Sequence, residues 1–119
     1  MAEVNDTSDT GAKLIAASKV NGTSVYNTAG EKLGSIYDVM IDKATGKSEY
    51  AIMSFGGFLG MGNSYHPLPW HSLNYDARQG GYVVNIDRAR LEGAPVYMDD
   101  GSDAWMDPGY GKRITDYYG

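Results

Sequence analysis

Apolar and polar residues alternate with a period of two through the middle of the chain, as they do in half-buried β-strands. The clearest runs are residues 33–42 and 48–55, which are separated by the polar, glycine-containing turn 43–47. Both runs are rich in β-branched and aromatic residues, which favour strands over helices. The pattern therefore predicts a β-hairpin.

The two strands of this hairpin are expected to differ in their number of apolar faces. In the first strand, Tyr37, Val39 and Ile41 share one face, and the other face carries two aspartates and a methionine. In the second strand, apolar residues occupy both faces. We therefore expect the second strand to be covered on two sides.

Shorter patterned segments flank the hairpin. Residues 24–26 and 82–86 read as strands, and the proline-containing segment 65–70 reads as an extended strand that is confined to an edge or to bulges. Asp87 is placed to cap a short helical turn that Gly93 ends. Since closing a barrel removes exposed strand edges, the pattern predicts a mainly all-β chain folded as a small β-barrel, with a helical turn after the last strand.

The two ends of the chain differ from the middle. Residues 1–13 are polar and are predicted to be a disordered N-terminal tail, and residues 14–93 are predicted to form one small domain. Residues 94–119 are predicted to be an extended, acidic C-terminal tail with five aromatic rings. These rings either remain in solvent or pack along the barrel, and packing is favoured because an exposed aromatic patch is costly.

The net charge of −5 comes from the two ends, since the middle of the chain is neutral. A chain without a basic block lacks the charges that bind phosphates, so we expect no nucleic-acid partner. It also lacks a polybasic cluster for anionic lipid and a run of about 20 apolar residues, so we expect no membrane insertion. The absence of cysteine and of an apolar secretion signal indicates a cytoplasmic protein.

A pattern of glycines, aspartates and apolar residues resembles a known family. It consists of Gly22, Val25, the runs 30–34 and 38–42, Ile36, the loop 55–58, Pro69, Trp70 and Leu73. Over roughly residues 18–93 this pattern resembles the PRC-barrel family, which is named for the cytoplasmic domain of the photosynthetic reaction-centre H subunit and includes the C-terminal domain of a ribosome-maturation factor. The chain resembles the stand-alone bacterial members, because it has neither the transmembrane helix of the H subunit nor the extra N-terminal domain of the maturation factor. The resemblance implies a small β-barrel that acts as an adaptor for protein partners and performs no chemistry.

Few residues suggest a reaction or a bound metal. His66 and His71 lie five positions apart, on opposite faces of a regular strand, so we interpret them as partly exposed strand residues and not as a metal site. Asp38 and Asp42 are spaced too widely for a catalytic carboxylate pair, and Asp42 is expected to bond amides of the following turn.

Two loops resemble binding motifs only superficially. The glycine-rich segment 57–62 lacks phosphate-loop spacing, and the acidic segment 99–103 lacks the spacing and terminal glutamate of a calcium loop. The sequence thus predicts no enzyme, no catalytic residue, no cofactor and no bound metal.

Several apolar residues are candidates for binding a protein partner. They are Phe58, Leu59 and Met61, which either bind a partner or cover the barrel as a lid, and Trp105, Tyr117 and Tyr118. Aromatic residues and methionine are enriched at interface centres, and methionine adapts to irregular partners. A homodimer is expected, because two-fold symmetry is the commonest among soluble oligomers.

Two alternatives remain open. One is a small-molecule binding module with an apolar or aromatic ligand in the barrel mouth, lined by Tyr50, Trp70 and Tyr82. The other is a hydrolase or isomerase, which a strongly shifted pKa in a cleft would indicate.

Overall fold

The computed structural model describes residues 13–56, 63–97 and 104–119, and within these residues it is built mainly from six β-strands. In chain order the elements are α1 (Ala17–Val20), β1 (Ser24–Asn27), β2 (Lys32–Ile41), β3 (Ser48–Gly56), β4 (Asn63–Pro69), a 3-10 turn (Trp70–Ser72), β5 (Asn74–Asp76), β6 (Gly81–Val84), α2 (Arg88–Glu92), a second 3-10 turn (Ala104–Met106) and α3 (Pro108–Tyr118). The mainly β class predicted from the sequence is confirmed.

The six strands form one sheet in the order β4-β3-β2-β1-β6-β5. Neighbouring strands are antiparallel except β1 and β6, which pair in parallel. The predicted barrel closure is not confirmed, because β4 and β5 remain the two edges of the described sheet. The sequence of β4 supplies a physical reason, since Pro67 and Pro69 lack the N–H groups that a closing ladder would use.

The main core lies on one face of this sheet. Its buried members include Val25, Leu33, Ile36, Ala51, Met53, Phe55, Leu68, Tyr82, Val84 and Leu91. Strand β3 contributes alternate residues to this core, and Ile52 on its opposite face is also fully buried. The prediction that this strand is covered on two sides is confirmed.

Two glycines allow strands of the sheet to approach closely. A Cβ atom at Gly34 would lie 1.9 Å from the backbone oxygen of Ser54, and one at Gly81 would lie 2.3 Å from that of Ser24. No other residue fits at such distances without moving a strand. The pairing of β2 with β3 therefore depends on Gly34 for steric reasons.

The prediction that Tyr37, Val39 and Ile41 share one face of β2 is wrong. Register shifts lie between Ile36 and Asp38 and between Met40 and Ile41, and each bulge interrupts the period of two. As a result Ile36 enters the core, whereas Tyr37 and Ile41 are 39% and 50% exposed. Of the three residues predicted to share a face, only Val39 packs against the core.

The helical turn predicted after the last strand is confirmed as α2, because the Asp87 side chain accepts a hydrogen bond from the Arg90 amide and Gly93 follows the helix. The expectation of an extended C-terminal tail is wrong for residues 108–118, which form α3. Asp107 caps this helix through the Gly109 amide, and Pro108 occupies its first turn, where a missing N–H costs nothing.

Candidate interaction surface

A second packed layer covers the face of the sheet opposite the main core, here called the outer face. Tyr50 and Ile52 lie on this face by strand alternation, and Pro67 is paired directly with Ile52. Helix α3 packs against β4 and buries Tyr110 and Ile114. Since Ile52 and Pro67 are fully buried, the outer face is apolar surface that needs a cover.

An aromatic cluster centred on Trp105 joins the outer face to α3. The Trp105 ring lies 5.0 Å from the Tyr50 ring, 4.8 Å from the Tyr110 ring and 6.3 Å from the Tyr97 ring, measured between centroids. Aromatic pairs in this range stabilise a structure by about 0.5–1.5 kcal/mol beyond the burial of their area. Trp105 Nε1 is buried without a hydrogen-bond acceptor among the described residues.

Hydrogen bonds attach α3 to the rest of the chain at two levels. The Tyr110 hydroxyl donates to the backbone oxygen of Val96 over 2.8 Å. Near the C-terminal end, the Tyr117 hydroxyl donates to the backbone oxygen of Arg90, and the Arg90 guanidinium donates to the backbone oxygen of Tyr117. The Arg90 guanidinium also lies 4.8 Å from the centre of the Tyr117 ring. These reciprocal contacts fix the end of α3 against α2.

The same packing changes the acidity of two tyrosines. Burial raises the pKa of Tyr110, and the electrostatic interaction with Tyr97 raises it by a smaller amount. Burial also raises the pKa of Tyr118, with a smaller effect of Tyr117. The Tyr118 hydroxyl is buried without a hydrogen-bond partner among residues 13–56, 63–97 and 104–119. Both rings are therefore held in their neutral form by the apolar surroundings.

Two large apolar side chains beside the Trp105 cluster remain exposed. Met106, next to Trp105 in the chain, is 78% exposed, and Val96, whose oxygen accepts from Tyr110, is 48% exposed. Each adjoins in the chain one of two contacting, partly buried rings, Tyr97 and Trp105, and these four residues are here called the Val96–Met106 patch. A grouped apolar surface of this kind is a mark of protein interaction sites.

The structure places the predicted partner-binding residues as follows. Trp105, Tyr117 and Tyr118 are partly buried and attach α3 to its own domain. Phe58, Leu59 and Met61 lie outside the described residues, so the prediction about them stays a prediction.

Sequence reasoning missed α3 and the surface it covers. Tyr110, Ile114 and Tyr118 recur at intervals of four, which places them on one face of a helix. Asp107 followed by Pro108 is also a helix-start signal. These signals were present in the sequence, but Gly109 and Gly111 in the first turns, together with the acidic and glycine-rich composition, obscured them.

His66 is a buried core residue, and the expectation of a partly exposed histidine is wrong. Its Nδ1 lies 2.9 Å from the backbone oxygen of Pro95, and its Nε2 lies 3.0 Å from the Ser64 hydroxyl. Because a carbonyl only accepts, Nδ1 donates to Pro95, and Nε2 is the ring atom that contacts Ser64. The ring also packs against Phe55, with 5.8 Å between centroids. His66 thus attaches β4 to the segment that leads towards α3, while His71 is exposed.

Two carboxylates, Asp38 in β2 and Asp42 just after it, bond backbone amides. Asp42 Oδ1 accepts from the amides of Ala44 and Thr45 over 2.8 and 3.1 Å, as the sequence predicted. These two hydrogen bonds hold the pKa of Asp42 below its ordinary value. Asp38 Oδ1 accepts from the neighbouring Val39 amide. Neither carboxylate faces a catalytic partner among the described residues.

The rings proposed to line a ligand-binding mouth belong to different clusters. Tyr82 is buried between Trp70 and Tyr75, with centroids 5.8 and 5.3 Å away, whereas Tyr50 packs on Trp105 at 5.0 Å. A depression of about 270 Å³ lies elsewhere and is lined by Asn27, Thr28, Ala29, Asn85, Ile86, Asp87 and Arg90. It is a polar surface depression and not an apolar mouth.

Two features are absent from the described residues. Among them, no three histidine, aspartate or glutamate side chains cluster in a way that could hold a metal ion. None of their helices combines the length and apolar character required to cross a bilayer.

Comparison with known families decides the classification. The sequence model of the PRC-barrel domain matches residues 12–91. The chain belongs to the PRC-barrel domain family. A comparison with the curated proteins finds no match.

The PRC-barrel domain is a small domain often involved in protein interactions, and it is generally a non-catalytic module. The matched residues include all six strands and end within α2. Helix α3 therefore lies outside the part of the chain that the family accounts for.

Proposed function

We propose that this PRC-barrel chain is a non-catalytic adaptor that binds a protein partner and associates with itself as a homodimer. The observation that carries the proposal is the Val96–Met106 patch, where large apolar side chains stay exposed beside the Trp105 cluster. Burial of such a patch against another protein would gain about 25 cal/mol for each Å² removed from water.

The segment containing Phe58, Leu59 and Met61 is the second part of the proposed binding region. It joins the ends of β3 and β4, and Tyr65 in β4 accepts a hydrogen bond from the Tyr97 amide over 2.7 Å. Tyr97 also forms part of the Val96–Met106 patch. This hydrogen bond places Tyr65 of β4 beside Tyr97.

Light scattering over a range of protein concentrations tests this proposal. The double variant Val96→Ser with Met106→Ser, and separately the triple serine variant of the loop, should shift the protein towards the monomer without changing its circular dichroism. Leu14→Ser is the matched control, because Leu14 is 92% exposed in the segment before α1 and should leave association unchanged. If both patch and loop variants associate as the parent does, the proposed region is wrong.

The small-molecule alternative and the enzyme alternative receive no support from the described residues. Tyr50 lies in a different cluster from Trp70 and Tyr82, and the polar depression lacks apolar rings. The pKa shifts in this part of the chain belong to packed tyrosines, to a turn carboxylate and to an exposed ion pair. The cytoplasmic location remains a prediction from the sequence.

A further inference from the structure

The turn between α1 and β1, residues 21–23, contains a chemically reactive pair, Asn21 and Gly22. Asn21 is the one asparagine of the chain that precedes a glycine. In such a pair the backbone nitrogen of the second residue can attack the side-chain carbonyl carbon of the asparagine, because glycine has no side chain to obstruct the approach. The Asn21 side chain is exposed and forms no hydrogen bond with the residues that the structure describes. Its carboxamide is therefore open to attack.

The conformation of the turn explains why a glycine follows Asn21. Gly22 has a φ of 89°, a left-handed conformation that residues with a side chain rarely adopt. It lies directly between the end of α1 and the residue that precedes β1. The fold therefore favours glycine at this position, and the same glycine makes Asn21 reactive.

In the folded chain the attacking nitrogen is already engaged. The Gly22 amide donates to the backbone oxygen of Ile36 over 2.7 Å, and the Ile36 amide donates to the backbone oxygen of Thr23 over 2.9 Å. These two hydrogen bonds join the turn to β2 at Ile36, which is 1% exposed. The Gly22 nitrogen must leave Ile36 before it can approach the Asn21 side chain. The reaction therefore requires a local opening of the turn.

We propose that Asn21 is a site of spontaneous deamidation, and that the hydrogen bond from Gly22 to Ile36 confines the reaction to chains in which this turn has opened. In the open turn the Gly22 nitrogen forms a bond to Cγ of Asn21, the bond between Cγ and Nδ2 breaks, and ammonia leaves with the proton of the Gly22 amide. The product is a five-membered succinimide. Water then adds to either carbonyl carbon of this ring, which gives an aspartyl or an isoaspartyl residue at position 21.

The products no longer match the turn that protected the site. The succinimide has no N–H at position 22, so it loses the hydrogen bond to Ile36. The isoaspartyl form lengthens the main chain by one carbon between the buried Val20 and β1. Both acids also add a negative charge. Because ammonia has been lost, closing of the turn does not restore the amide, and the modification records how long the turn has been open.

Peptide mapping of the full-length chain by mass spectrometry measures the reaction. The chain is incubated at neutral pH, once folded and once unfolded in guanidinium chloride, and conversion of the amide at position 21 to an acid is followed with time. We expect the folded chain to react at least about tenfold more slowly, because only its locally opened form is reactive. Hydrogen exchange of the Gly22 amide, under conditions where closing is faster than exchange, reports the same opening. The two slowing factors should therefore agree within about threefold.

A variant that weakens the turn provides a second measurement. The Thr23 hydroxyl donates to the backbone oxygen of Lys19 over 2.7 Å, and Thr23→Val removes this hydrogen bond while it keeps the branched shape. It should accelerate deamidation of the folded chain by about two- to fivefold and leave the rate of the unfolded chain unchanged. Thr28→Val is the matched control, because Thr28 is exposed in the next turn and its side chain forms no hydrogen bond within the described part of the chain. Both of its rates should equal those of the parent.

Each other outcome overturns the inference. If the unfolded chain does not deamidate at Asn21, the pair is not reactive. Equal rates in the folded and unfolded chain would show that the hydrogen bond to Ile36 gives no protection. A slowing factor that departs from the hydrogen-exchange factor by more than about threefold, or that Thr23→Val leaves unchanged, would show that opening of this turn does not control the reaction. If Thr23→Val does not fold, the comparison of the two factors in the parent chain decides.

Discussion

The contact between Gly111 and Tyr50 allows a quantitative test of how α3 docks. Alanine is favoured over glycine in a helix interior by about 1 kcal/mol, so Gly111→Ala would stabilise a free-standing helix. In this protein the new Cβ atom would lie 2.9 Å from the Tyr50 hydroxyl oxygen. The Tyr50 ring would have to shift against Trp105, whose centroid is 5.0 Å away. We therefore expect the gain in helix propensity to be offset, and the net change to be near zero or destabilising.

Tyr50→Phe removes the hydroxyl that causes the overlap. In this background Gly111→Ala should recover its full benefit of about 1 kcal/mol. The double-mutant cycle then gives a coupling energy of about 1 kcal/mol between the two positions. Urea unfolding measures it as a shift of the midpoint of about 0.5 M, taking a slope of about 2 kcal/mol/M.

Lys112→Ala is the control for this cycle, because Lys112 is exposed next to Gly111 on the same helix. Its effect should be the same in both backgrounds within about 0.3–0.5 kcal/mol. If Gly111→Ala stabilises equally with tyrosine and with phenylalanine at position 50, α3 does not dock on β3 in the way described.

Three further predictions address the packing of the domain. Tyr118→Phe should stabilise the fold by about 1 kcal/mol in urea unfolding, because it removes a buried hydroxyl that has no hydrogen-bond partner among the described residues. Tyr117→Phe should destabilise the fold by about the same amount, because it removes the hydrogen bond to the Arg90 backbone oxygen. The pKa of Tyr118 is raised on folding, so its contribution to stability is present below pH about 10 and is lost as pH rises further. Tyr118→Phe should therefore also move alkaline unfolding to higher pH. An unchanged alkaline midpoint would contradict this. Gly34→Ala should cost more than about 3 kcal/mol of stability or abolish folding, because its Cβ would lie 1.9 Å from a backbone oxygen. Circular dichroism measures this effect. A variant of near-parent stability would show that β2 and β3 are paired differently. Asp42 has a lowered pKa, so its stabilisation is present above the ordinary carboxylate pKa and is lost as pH falls; Asp42→Asn should flatten the acid limb of the stability curve, and an unchanged limb would refute the turn contacts.

The hairpin at the centre of the fold was predictable because its signal is local. Runs at 33–42 and 48–55 correspond to β2 at Lys32–Ile41 and β3 at Ser48–Gly56. Period-two patterning, β-branched residues and a glycine turn all indicate the same structure at this place. The helical turn after Asp87 was predictable for the same reason, because its capping residues lie next to it in sequence.

The sequence did not predict features that depend on contacts between distant segments. The bulges in β2 change which side chains enter the core, and no residue of β2 signals them by itself. The burial of His66 follows from its bond to Pro95, which lies 29 positions along the chain. Its environment depends on the segment after α2, which lies beside β4.

The candidate interaction surface was predictable in part. Their aromatic character made Trp105, Tyr117 and Tyr118 candidates for partner binding in the sequence. In the structure these three rings attach α3 to the domain. Two glycines concealed the helix itself, because intrinsic propensity argues against a helix that tertiary packing nevertheless forms. Gly111 is required by the neighbouring Tyr50 and not by the backbone of α3.

The parallel pairing of β1 with β6 has a consequence for the order of folding. It joins Val25 to Tyr82, so the sheet is completed across a long stretch of chain, whereas β1 to β4 pair with their immediate neighbours in sequence. Contacts of large sequence separation form late, because a long loop must close before they contribute. We expect the first four strands to be assembled in the transition state and the β1–β6 seam to form afterwards. Truncations at the seam, such as Val84→Ala, should therefore mainly accelerate unfolding, and a slowed folding arm in stopped-flow kinetics would show the opposite order.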